Sequence, residues 1–89
     1  MDSSLKQALK AKAHHLKPVI LLGSKGLTPA VLNETDIALN AHELIKVKLT
    51  GVEKEEQLQL AQEICTNLHA ELVQLIGNIA VIYRENLEK

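Results

Sequence analysis

Hydrophobic and polar positions along the 89 residues alternate between helical and extended periods. Leu5, Ala8, Leu9 and Leu16 share one face at helical spacing, with Lys12 among them as a snorkelling or edge residue. Ser4 with Gln7 three positions on predicts a capping-box start, and Lys17-Pro18 predicts the stop, because the residue before proline is pushed out of the α region. Val19-Ile20-Leu21-Leu22 is a continuous apolar run, which predicts a strand covered on at least one face and paired on both edges. After Gly23-Ser24-Lys25-Gly26, Thr28 and Pro29 read as N-cap and first residue of a second helix, stapled by Leu27 and Leu32. Val31, Leu32, Thr35, Ala38 and Leu39 form its inward face.

Leu44 to Leu49 then alternates: Ile45, Val47 and Leu49 on one side, Lys46 and Lys48 on the other, a half-exposed strand with a basic open face. A third helix begins between Thr50 and Lys54 and is expected to bury Leu58, Ala61, Ile64, Cys65 and Leu68, leaving Glu53, Glu56 and Glu63 to water. Leu72–Ile76 and Ile79–Tyr83 are the closing strands, joined by Gly77-Asn78 as a two-residue II′ turn. The expected order is α-β-α-β-α-β-β. Two right-handed crossovers and one hairpin make a four-stranded mixed sheet, hence a two-layer α+β sandwich with helices on one face. Residues 1–89 should form a single domain.

Composition narrows the chemistry. With 46% hydrophobic residues an aliphatic core is feasible, but Tyr83 is the lone aromatic, so base stacking on rings is not available as a main mechanism. Cys65 has no partner for an internal disulfide, and no apolar run approaches the roughly 20 residues of a membrane span. A soluble cytoplasmic protein is expected. The net charge of −1 hides an asymmetry: residues 1–48 carry seven lysines against four carboxylates, and residues 49–89 carry three basic groups against seven. Such a chain can present one basic face to a polyanion, although two ordinary solvated surfaces would look the same.

The stretch Gly23-Ser24-Lys25-Gly26 carries the most chemistry. Its glycines allow close backbone approach, it leads into a helix N-terminus that favours an anion, and Lys25 adds a mobile charge. As a bare pattern GxxG is weak, and a plain strand-to-helix turn accounts for it equally. It has neither the spacing of a P-loop nor the leading Gly-x-Gly of a dinucleotide site. The histidines lack metal-ligand spacing; His14, His15 and Lys17 could join a basic rim around the loop. Ser24 has no base at a recognisable spacing, and Cys65 sits on an apolar face, so neither catalysis nor a cofactor or metal is expected.

Taken together, Leu16-Lys17-Pro18-Val19, Leu22-Gly23-Ser24-Lys25-Gly26-Leu27-Thr28, His42-Glu43-Leu44-Ile45-Lys46-Val47-Lys48, Ile76-Gly77 and Val81-Ile82-Tyr83-Arg84 resemble the YhbY/CRM-domain family over essentially the whole chain. That resemblance implies a fold similar to the C-terminal domain of translation initiation factor 3. It also implies an RNA-binding, non-enzymatic protein that grips RNA backbone through a GxxG loop and acts in large ribosomal subunit assembly. Its partners would be large-subunit ribosomal RNA or a pre-ribosomal particle, and ribosomal proteins. The implied contacts are Gly23, Ser24, Lys25 and Gly26, supported by Lys17, Lys46, Lys48 and Arg84. The acidic close Glu85-Asn86-Leu87-Glu88-Lys89 departs from the basic tail that members often carry, which suggests a site completed by protein neighbours. The alternative is a protein-interaction module that docks on a ribosomal protein or assembly factor with little RNA binding of its own.

Overall fold

A computed structural model describes residues 2–23 and 25–86. Its elements are α1 (Ser3–Ala13), β1 (Ile20–Leu22), α2 (Pro29–His42), β2 (Leu44–Leu49), α3 (Lys54–Leu68), β3 (Glu71–Ile76) and β4 (Ile79–Tyr83). The α+β class and the element order are as the sequence predicts. One four-stranded mixed sheet runs β1-β2-β4-β3, with β1 parallel to β2 and the other neighbours antiparallel.

The helices do not share one face. Ile45, Val47 and Leu49 of β2 meet Ala80 and Ile82 of β4 under α2 and α3, through Leu39, Ala61 and Ile64. On the opposite face Leu44, Val81 and Val73 are covered by Leu9 and Ala13 of α1. The expected two-layer sandwich is therefore helix–sheet–helix over part of its area. Leu44 and Ile45 are consecutive and both buried, which a strand covered on one side only cannot achieve. A bulge assists on β3: Leu72 pairs Ile82 and Gln74 pairs Val81, so Val73 is the extra residue. Because of it Gln74 joins Val73 on the α1 side, and Leu75 returns to pack with Leu72 under α2 and α3.

Local details refine the pattern. α1 is capped by Asp2, whose carboxylate accepts the Leu5 N–H at 2.8 Å, rather than by Ser4, and it ends at Ala13, before Lys17-Pro18. Leu5 and Ala8 are exposed, so the buried stripe is only Leu9 and Ala13. β1 pairs with β2 alone, as an edge strand, and leaves Leu21 67% exposed. In α3, Gln57 takes the buried place expected for Leu58; its amide donates to the carbonyls of Leu49 and Val52 at 3.4 Å each. Gly77 has φ +57 while Asn78 stays out of the left-handed region, as a II′ turn requires.

Candidate nucleic-acid interface

Parallel pairing of β1 and β2 sets the position of the glycine loop. Leu22 lies level with Leu49, and Thr50 donates both its N–H and its hydroxyl to the Leu22 carbonyl, at 3.0 and 3.2 Å. This fixes the end of β1 immediately before Gly23. The chain then turns, with the Gly26 N–H donating to the Gly23 carbonyl at 3.0 Å. Gly26 has φ +73, a left-handed conformation that costs a side-chain-bearing residue roughly 1 kcal/mol or more. A Cβ at Gly23 or Gly26 would meet no atom within 4 Å, so both glycines border open space. Ser24 lies outside the described residues. The Lys25 side chain is exposed and has no ion pair among the described residues.

α2 begins immediately after the loop. Thr28 accepts the Val31 N–H at 3.2 Å, and Pro29 at the first position has no N–H to offer. Of the donors a helix start normally leaves free, the cap thus uses one and proline removes another. The remaining attraction for an anion comes from the Thr28 and Ala30 N–H groups, the helix dipole and the Lys25 charge.

The lysines expected beside the loop divide into two groups. Lys48 pairs with Leu21, two residues before the loop, and shares the α1-side face with it and with Lys46. Lys46 lies further along β2 and borders a hollow with Lys10 and His14 of α1. Lys17 precedes β1, at the end of the strand away from the loop, on the rim of a separate hollow of about 400 Å³ shared with Lys12 and His42. Arg84 follows Tyr83, which pairs with Leu44 at the start of β2. The length of β2 separates it from the loop, roughly 17 Å at 3.3 Å per residue. His14 and Lys17 do not stand together at the loop: His14 lines the hollow that Lys46 borders, and Lys17 sits at the far end of β1.

Arg84 is occupied by its own protein. Its guanidinium donates to Asp36 Oδ1 at 2.8 Å, the Leu68 carbonyl at 2.9 Å, Asn40 Oδ1 at 2.9 Å and the Asp36 carbonyl at 3.2 Å. It joins the exit of β4 to α2 and to the C-terminal end of α3, where a cation also suits the helix dipole. Lys10 and His14 are companions of Lys46 that no motif in the sequence marks. Their spacing of four does place them on one helical turn, but only the side of the sheet that α1 covers brings them to β2.

Burial pushes the Cys65 thiol up to about 11, with the nearby Glu71 carboxylate adding to the rise, so the sulfur is held as a neutral core group. Among the described residues no three metal-ligating side chains converge, and no helix is long and apolar enough to cross a membrane. The acidic residues of α3, Glu55, Glu56 and Glu63, are exposed on the side of the sheet opposite Lys46 and Lys48.

Comparison with known proteins gives this geometry its relatives. The family model for the CRS1 / YhbY (CRM) domain matches residues 1–84. A Haemophilus influenzae protein named "RNA-binding protein" is 47% identical over 99% of this chain and 89% of its own length. A Pseudomonas aeruginosa protein named "Probable RNA-binding protein" is 47% identical over 91% of this chain and 78% of its own. The solution structure of a hypothetical protein from Staphylococcus aureus superposes with a TM-score of 0.87 at 32% identity, covering 99% of this chain and 92% of that one. None of the three is named as an enzyme.

Proposed function

This chain belongs to the CRS1/YhbY (CRM) domain family, and from that premise we propose that it binds RNA backbone through residues 23–26 while large ribosomal subunits assemble. The observation that carries the reading is the loop: a left-handed Gly26 with open space beside it, closed on Gly23 and set at the start of α2. Phosphate oxygens can approach such a backbone closely, and Lys25 and Lys48 supply charge on the same end of the sheet. Lys46 extends the positive surface along β2. Lys17 and Arg84 are left out of the contact set by their positions. Recognition rests on shape and phosphates rather than on base identity, because the loop carries no aromatic ring and no arginine. Residues 1–89 act as one domain, and no catalytic step is assigned to it.

The test is binding of the purified protein to a structured fragment of large-subunit ribosomal RNA across a salt titration, with Gly26→Asp as the control. Phosphate contacts weaken steeply as salt rises, and aspartate would place a carboxylate where phosphate belongs. Folded Gly26→Asp protein that binds normally would refute the loop assignment. A second reading, docking on a ribosomal protein with little RNA contact, draws on the exposed acidic face of α3. It requires the intact protein to ignore RNA even at low salt.

A further inference from the structure

Between α1 and the sheet, away from the glycine loop, lies a hollow of about 230 Å³. It is smaller than the roughly 300–1,000 Å³ of a drug-sized cleft, and so suits one compact group. Ile76, Ile79 and Val81 form an aliphatic floor, and Lys10, His14 and Lys46 surround it. The Gln74 amide also lines it, placed there by the bulge that turns both Val73 and Gln74 toward α1. Lys10, Lys46 and Gln74 make no side-chain hydrogen bond or ion pair among the described residues. Ile76 is 58% exposed.

We infer that this hollow receives one unpaired nucleotide of the bound RNA, with the base on the aliphatic floor and its phosphates near Lys10 and Lys46. The inference rests on the RNA-binding reading above and adds a second subsite to it. An apolar floor alone would take any greasy group; the surrounding positive charge with no acidic side chain in the lining selects one flanked by anions. Gln74 offers both a donor and an acceptor, so it can meet the edge of any base without fixing its identity. Ile79 pairs with Lys48, which pairs with Leu21, so the Ile79 edge of the hollow lies about 10 Å, two strand spacings, from Leu21, two residues before the loop. A single strand held at the loop reaches the hollow over Leu21 and Lys48.

The experiment is a titration of the intact, methyl-labelled protein with uridine and adenosine 5′-monophosphates, followed by NMR, with ribose 5-phosphate and poly-glutamate as controls. Both nucleotides should move the methyl signals of Ile76, Ile79 and Val81 saturably, while the two controls leave them in place. Ile76→Asp, a change at an exposed position, should weaken that binding about tenfold, whereas Gly26→Asp should not alter it. Shifts confined to residues 23–27, equal shifts with ribose 5-phosphate or poly-glutamate, or an Ile76→Asp protein that binds as before would each overturn the subsite. Salt-sensitive RNA binding without nucleotide shifts would remove the hollow and keep the loop. Nucleotide shifts in a protein that ignores structured RNA would do the reverse.

Discussion

Replacing Arg84 with alanine should destabilise the fold by about 2–3 kcal/mol and leave the RNA affinity of the folded protein unchanged. Four intramolecular hydrogen bonds disappear, the shortest to Asp36 Oδ1 at 2.8 Å. Hydrogen bonds involving a charged group contribute roughly 1.5–3 kcal/mol net when sheltered. The ion pair itself is partly solvated, with Arg84 19% and Asp36 43% exposed, so its own share is at most about 1 kcal/mol. Water can replace the guanidinium at Asn40 and Asp36, but less readily at the Leu68 carbonyl, which lies where α3 packs down on the sheet. A loss of 2–3 kcal/mol in a domain of this size lowers Tm by roughly 10–20 °C. Arg84→Lys should recover less than half, since an ammonium cannot hold three residues in one planar fork. Urea unfolding followed by far-UV circular dichroism is the assay, because the chain has no Trp and one Tyr. An Arg84→Ala protein of unchanged stability and reduced RNA affinity would refute the argument and return Arg84 to the binding surface.

Lys25→Ala and Lys48→Ala should each reduce the slope of log affinity against log salt by about 0.7 for one single-stranded phosphate contact, and Lys17→Ala should leave it unchanged. Equal effects from all three would mean that the lysines act only through net charge. Asp2→Ala should cost about 0.5–1 kcal/mol in thermal unfolding through loss of the α1 cap, whereas Ser4→Ala should cost nothing measurable. The Cys65 thiol should resist iodoacetamide at neutral pH in the native protein and react once unfolded. Its pKa is raised in the folded state, so the stability it contributes is complete below about 9 and is lost as pH rises toward about 11, on the order of 2 kcal/mol. Denaturant midpoints that hold constant from pH 8.5 to 11 would contradict this.

The element order was readable because each segment carries its own local signal: alternation in β2, Thr28-Pro29 at the head of α2, Gly77-Asn78 in the hairpin. The side of the sheet that α1 covers was not, since a helical stripe says only that something is buried. The clue was the adjacent pair Leu44-Ile45 and the unbroken run Ala80-Val81-Ile82, which ask for cover on both faces. By the same logic Val19 to Leu22 reads as a central strand, whereas Leu21 stands on the open face at the sheet edge. At the site, the loop geometry followed from glycine chemistry and the basic strand from its period. Lys17 could have been set apart on topology alone, as it and the glycines bound opposite ends of one strand. Arg84 could not, because its acceptors Asp36 and Asn40 are more than 40 residues away in sequence and nothing local distinguishes an inward guanidinium from an outward one.

The sheet order has a consequence during biosynthesis. β4, the last of the seven elements among the described residues, occupies an interior position, and Ile82 must pair with Ile45. At roughly 5–20 residues per second Ile82 emerges about 2–7 s after Ile45. Through that interval β2 can acquire β1 and its helices, but one of its backbone edges has no native partner. A nascent chain halted before Ile79 therefore has its sheet divided down the middle rather than trimmed at the rim. Its open flank is the backbone edge of Leu44–Lys48, unpaired N–H and C=O groups suited to capture by a chaperone or by another unfinished chain.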